Sequence, residues 1–283
     1  MTVYMGIDFA NKDTNIGRCR LTADFVSKKL TPSITTKEPG ESEYVAVDCP
    51  FGTSEGFFKL LNGKIPNDCE WDPGLKTRHT ENWLRKELWD YSTNSYWRHL
   101  DVREPQQYVN QTAHVQPSVG LVIVPAFLRW VLCSQKLTPA QLVDARSGHG
   151  RMVEAHPRAF LYSIVERIYR IVSQESNDID WKDELSNVVR YKDKKSVSHL
   201  AERTRVYGFL QKYSSAWLWD GFTLADAEDR LLQKDHAFDA FLAAMTAFAF
   251  ASKQVISFTE AEIDVDTVSV EGHISILSQP RSR

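Results

Sequence analysis

The chain has 283 residues, 42% of them hydrophobic and 11% aromatic, and a formal net charge of −3. That length suits one large domain with a core of its own, and so mild an acidity gives no global electrostatic pull toward nucleic acid. No apolar run reaches the roughly 18 residues a membrane span needs; Val119 to Cys133 comes nearest and is broken by Pro125 and Arg129.

The first residues lead straight into an apolar strand, with no basic stretch or cleavage site, so the expected location is the cytoplasm. Cys19, Cys49, Cys69 and Cys133 are too far apart for a zinc motif or a disulfide framework. Reduced thiols are expected, with no disulfide-linked partner.

Val3 to Ile7 predicts an opening β-strand that delivers Asp8 at its carboxyl end. Asn11-Lys12-Asp13 is turn chemistry, and Ile16 to Thr22 predicts a second strand returning antiparallel. A polar stretch from Thr31 to Ser42 leads to Tyr44-Val45-Ala46-Val47, a third strand that ends at Asp48. Its apolar residues on both faces predict a central position parallel to the first strand. Thr53 or Ser54 can cap a short helix through Leu61.

Residues 65–116 are predicted to be an insertion within a single domain spanning 1–283. The insertion holds Trp71, Trp83, Trp89 and Trp97 and one helix from Thr80, as its cap, to Tyr91. Pro117 to Leu137 predicts a helix, with a shorter one opened by Pro139. Arg151 to Ala155 predicts a strand containing Glu154. Pro157 then opens a helix whose apolar stripe is Phe160, Leu161, Ile164, Ile168 and Ile171.

A basic amphipathic helix is predicted from Lys194 to Lys212, with Leu200, Val206, Phe209 and Leu210 inward. Thr223 starts a further short helix. The last long helix runs from Lys234 to Ser252; Ala240, Ala243, Ala244, Ala247 and Ala251 give it a small-residue stripe for close packing on a sheet. The tail beyond Gln254 is loose apart from strand character at Ile274 to Leu277. This order predicts an α/β layer fold with a mixed sheet.

Four acids stand where elements end or begin: Asp8, Asp48, Glu154 and Asp239. Two-metal phosphoryl chemistry needs several carboxylates around Mg²⁺ or Mn²⁺ ions about 3.5–4 Å apart, and magnesium keeps waters, so few protein ligands suffice. Asp8 would bridge, Asp48 would come from the neighbouring strand, and Asp239 from the last helix. His236 shares a helix face with Asp239 and could bind metal or orient water, with Asp235 as a competing neighbour. Glu154 could instead pair with Arg151, Arg158 or Arg78. Arg78, Glu81 and Arg85 could contact phosphate or tie the insertion to the core by ion pairs. Lys194, Lys195 and Arg203 sit on a basic helix face suited to a phosphate backbone.

Gly6-Ile7-Asp8, Val47-Asp48-Cys49-Pro50-Phe51-Gly52, Arg78-His79-Thr80-Glu81 with Arg85, Val153-Glu154-Ala155-His156-Pro157 and Asp239-Ala240 occur in that order, followed by Glu271-Gly272-His273-Ile274. As a set they resemble the domain-of-unknown-function family numbered 429, a group predicted to be nucleases of the RNase H-like superfamily. The resemblance implies an RNase H-like core: a five-stranded mixed sheet flanked by helices, with acids converging at one edge. His236-x-x-Asp239-Ala240 and Glu154-x-x-Pro157 are also similar to motifs of RuvC-type Holliday-junction resolvases. The chain differs from those in carrying Asp48 in place of Glu, and it lacks their basic, glycine-containing segment after the proline corner. Junction binding is therefore not implied.

The resulting expectation is a metal-dependent nuclease acting on DNA or RNA. A non-catalytic binding or assembly module on the same fold is the alternative. An actin-like ATPase, which also opens on Gly-Ile-Asp, would need a second glycine-rich phosphate loop. Only 13 glycines are present, and none cluster.

Overall fold

The computed structural model describes residues 1–9, 16–52, 78–94, 117–175, 179–181, 184, 191 and 199–279; for 88–94, 117–123 and 199 it describes the backbone alone. The turn at Asn11-Lys12-Asp13, the helix expected after Thr53, Lys194 and Lys195, Trp71 and Trp97 fall outside these residues.

Apolar alternation and its exceptions build the sheet. β1 (Thr2–Asp8) is buried from Tyr4 onward on both faces, as a central strand must be. β2 (Gly17–Asp24) returns antiparallel to it, and β3 (Lys29–Ile34) returns antiparallel to β2. On the other side, β4 (Tyr44–Asp48) runs parallel to β1, and β5 (Met152–Ala155) runs parallel to β4. Two-residue strands close the edges: β6 (Thr223–Leu224) beside β3, and β7 (Ile274–Ser275) beside β5, both parallel. The order is β6-β3-β2-β1-β4-β5-β7, seven strands among the described residues where five were expected.

Two of these strands correct the sequence reading. β3 runs into the polar stretch that begins at Thr31, for which no strand was expected, and its Pro32 costs the ladder nothing. Thr35 N–H donates to Arg18 O at 3.1 Å, so the alternation of antiparallel bonding turns the Pro32 nitrogen outward, away from β2. That outward side is also why Thr223-Leu224 is a strand and not a helix start. The open edge of β3 recruits it, with Thr223 N–H donating to Lys28 O (2.9 Å) and Ala225 N–H to Leu30 O (2.8 Å).

The helices among the described residues are α1 (His79–Asn94), α2 (Pro117–Cys133), α3 (Pro139–Arg146), α4 (Pro157–Glu175), α5 (His199–Lys212), α6 (Ser214–Trp217), α7 (Asp229–Gln233), α8 (Asp235–Ala251) and α9 (Val265–Glu271). α9, in a tail expected to be loose, starts on Asp264, whose carboxylate accepts from the Asp266 and Thr267 amides. Thr80 does not cap α1; its buried hydroxyl accepts from Ile274 N–H at 3.0 Å. In α5, Val206, Phe209 and Leu210 are buried as expected, but Leu200 is exposed.

The sheet separates two cores. On one face, α8 and α4 cover Tyr4, Ala46, Val153 and Ala155, with Phe160, Leu161, Ile164 and Ile168 of the expected stripe all buried. On the other, Met5, Ile7, Val45, Val47 and Met152 meet Phe127 and Val131 of α2 and Leu142 and Ala145 of α3. Cys19 and Cys49 are buried free thiols and Cys133 an exposed one. Among the described residues no helix is long and apolar enough to cross a membrane.

Candidate functional site

Asp8 and Asp48 are direct neighbours in the parallel β1–β4 ladder, so their side chains leave the sheet on one face. Gly6, two residues before Asp8, shares that face. A Cβ on Gly6 would lie 1.9 Å from Ala240 O and 2.1 Å from Ala244 N, so α8 rests its backbone directly on β1. Gly17, opposite Asp8 on β2, does the same at the start of the helix, where a Cβ would lie 2.0 Å from His236 O. Only glycine at both points lets the first turns of α8 come down over the strand ends. The alanine stripe, with Ala240, Ala243, Ala244 and Ala247 all buried, supplies the other half of that fit.

This descent brings Asp239 to the two strand aspartates. One carboxylate oxygen from each of Asp8, Asp48 and Asp239 lies within 4.8 Å of the other two, a spacing at which the three could hold a metal ion. Asp8 and Asp239 are buried and Asp48 is half-buried. The donor set is oxygen throughout, which suits Mg²⁺ or Mn²⁺. The nearby Cys49 is held as a neutral thiol, because burial, then the negative charges of Glu154 and Asp48, push its pKa well up.

His236 Nδ1 is hydrogen-bonded to Asp8 Oδ2, and the imidazole side chain is 52% exposed, so it marks the solvent side of the site. The hydrogen bond to Asp8 raises the histidine pKa against the opposing effect of partial burial. Among the described residues, Tyr191 is a site neighbour that the sequence did not reveal. Its hydroxyl donates to Asp239 Oδ1 at 3.1 Å, from a fully buried position. Burial first, then the Asp239 charge, raise that phenol well above its ordinary pKa, which keeps it a donor. Tyr191 lies in a polar run without hydrophobic period, so no pattern singled it out.

Glu154 has a different place. The register pairs it with Val47, so it points to the opposite face of the sheet from Asp8 and Asp48. In the row of the aspartates β5 instead supplies Ala155, one residue on. The Glu154 carboxylate, 2% exposed, is forked by Arg78: Nη1 donates to Oε2 at 2.8 Å and Nη2 to Oε1 at 2.5 Å. Arg78 also donates from Nε to Glu81 Oε1 (2.8 Å) and from Nη1 to Glu271 O (2.8 Å), while Glu271 Oε2 accepts from His79 N–H at the start of α1. Burial raises the Glu154 pKa, and Arg78 and the Phe51 amide oppose it.

Arg78 and Glu81, considered as phosphate contacts, are therefore buried struts that fasten α1 to the core. Arg85 lies half-buried on the same helix. Arg203, expected on a basic helix face suited to a phosphate backbone, is 3% exposed. It donates to Leu232 O (2.6 Å) and Gln233 O (3.1 Å) and pairs with Asp235, fixing the joint between α7 and α8. Its burial removes it from any phosphate-binding face, and the pairing gives Asp235 a partner on the side of α5.

Comparison of the chain with protein-family models, with curated proteins and with solved structures returned no match.

Proposed function

We propose that this protein is a metal-dependent phosphodiesterase, a nuclease of RNase H-like type, with Asp8, Asp48 and Asp239 as its metal ligands. The observation that carries this reading is the convergence of those three carboxylates from two adjacent strands and one helix, each on a separately fixed backbone. The mixed sheet with helices on both faces and the ordered motifs from Gly6 to Ile274 support it as well.

Three carboxylates this close repel one another, and a divalent cation relieves that repulsion. When bound, Mg²⁺ or Mn²⁺ supplies positive charge against phosphate oxygens and acidifies water toward neutral pH. Asp8, between Asp48 on the ladder and His236 on α8, would be the ligand shared between ions. His236 uses Nδ1 on Asp8, which leaves Nε2 to orient or deprotonate the attacking water. Tyr191 holds the Asp239 carboxylate in one orientation, as hydrogen bonds to ligating carboxylates do. DNA and RNA are both candidate substrates on this chemistry.

The test is calorimetric titration of Mn²⁺ into the wild-type protein and an Asp8→Asn/Asp239→Asn variant, with and without a short oligonucleotide. It is paired with cleavage assays on labelled single- and double-stranded DNA and RNA. Saturable binding and cleavage that are both lost in the variant are expected. A folded wild-type protein that binds no Mn²⁺ even with oligonucleotide present would overturn the proposal.

A further inference from the structure

We infer that Glu154 is a positioning residue for Asp48, acting through the amide of Phe51; this rests on the metal-site reading above. The chain turns sharply where β4 ends, with Cys49 N–H donating back to Val47 O at 2.9 Å, a three-residue turn centred on Asp48. The direction of the Asp48 side chain therefore depends on what holds the residues just beyond it.

Phe51 is that hold, and it is gripped at three points. Glu154 Oε2 accepts its N–H at 2.9 Å, Arg146 Nε donates to its carbonyl at 2.9 Å, and its ring stacks on Phe127 with centroids 4.6 Å apart. Gly52 completes the clamp. A Cβ there would lie 1.9 Å from Val270 O, so α9 closes directly over the turn. Gly272, at φ +81°, brings the chain around Glu154 itself, where a Cβ would lie 2.9 Å from Oε2.

Arg78 makes the Glu154 grip directional. Its fork fixes both carboxylate oxygens, so Oε2 is presented to Phe51 N–H in one orientation. The effect reaches through the sheet: Glu154 lies on the face away from the aspartates and governs one of them by way of the backbone. A ligand must be held within about 0.5 Å of its working geometry, and an unsupported strand-end turn does not provide that.

The experiment is Mn²⁺ titration of the full chain as wild type, Asp8→Asn, Glu154→Gln and Glu154→Met. Glu154→Gln keeps an acceptor for Phe51 N–H, whereas Glu154→Met removes it; in both, Arg78 still has Glu81. Both variants should unfold at lower temperature than wild type. Glu154→Gln should keep its Mn²⁺ affinity within about threefold, and Glu154→Met should lose about tenfold, as when outer-shell partners of metal ligands are removed. A merely structural role would lower the melting temperature of both and leave the two affinities equal, and equal affinities would overturn the inference. If Glu154→Met does not fold, Arg146→Met releases the other side of Phe51 and should weaken Mn²⁺ about threefold; unchanged affinity there overturns it too. Failure of the wild type to bind Mn²⁺ removes the metal-site reading itself, and loss in Asp8→Asn alone leaves that reading standing without this one.

Discussion

Two groups of carboxylates lie at the same end of this sheet, on opposite faces, and they are stabilised in opposite ways. Glu154 and Glu81 share a buried guanidinium, Arg78, that reaches both from the start of α1. Asp8 is hydrogen-bonded to a half-exposed imidazole, and Asp239 accepts from a buried phenol. A built-in cation makes the first group a fastener. The second has its oxygens gathered toward one point by a helix lying on glycines, an arrangement that suits an exchangeable cation. Acids at strand ends are thus not one class of residue: pleat parity decides which of the two groups each joins.

The comparison breaks most visibly at Arg78. Arg78→Met leaves two buried carboxylates without their cation and should cost about 3–5 kcal/mol, read as a lower urea midpoint. Asp8→Asn, on the other face, should cost far less. Equal losses at the two positions would erase the distinction between fastener and site.

Gly6→Ala comes next. The added methyl meets the backbone of α8 at 1.9 Å, so the helix must lift or the strand must shift, at about 3 kcal/mol. Lifting α8 also carries Asp239 away from Asp8. Mn²⁺ affinity should therefore fall along with stability, although no ligand has been changed.

The fastener side also has its own pH signature. His273 is buried with Nε2–H donating to Ile256 O at 2.9 Å, and burial lowers its pKa to about 4. Its folded pKa lies below the unfolded value of about 6.5, so the unfolded chain binds the proton first as pH falls. The stabilisation is complete above pH 6.5 and is lost progressively down to pH 4, by about 3 kcal/mol. Urea unfolding of wild type against His273→Gln at pH 7.5, 5.5 and 4.5 isolates it. Parallel pH curves for the two proteins would reject the buried neutral imidazole.

How much of this the sequence carries follows from range. The strands ending in Asp8 and Asp48, and the alanine stripe above Asp239, are local patterns, legible from apolar spacing alone. The face on which Glu154 emerges depends on its pairing with Val47, more than a hundred residues earlier, and a one-residue change of register would reverse it. Arg203 reads as a surface charge until α7 and α8 place Leu232 O and Gln233 O in front of it. The strand through Pro32 was not foreseen and Thr223 was misread for a related reason: whether a proline breaks a strand, or a threonine joins one, depends on which edge is open. Tyr191 gave no signal because a single buried hydrogen bond imposes no periodicity.

The smallest effect is also the one that separates site from fastener most directly. Asp48→Asn removes one of three closely spaced carboxylate charges and keeps the side chain's shape and a hydrogen-bonding oxygen, so in the absence of divalent metal it should stabilise the protein by about 1 kcal/mol, as substitutions at function-constrained sites often do. Metal should reverse the order. If the proposed site holds the ion, Mn²⁺ at about 100 times its dissociation constant would add about 3 kcal/mol to the wild type by mass action, while the variant, short of a ligand, would gain little. The melting curves of the two proteins should therefore cross as Mn²⁺ is raised from zero. Glu154→Gln cannot produce such a crossing, because it loses stability without metal and gains as the wild type does when metal is added. Melting curves for Asp48→Asn that stay parallel to wild type across the titration would mean that Asp48 takes no part in holding the ion, and would reduce the site to Asp8 and Asp239.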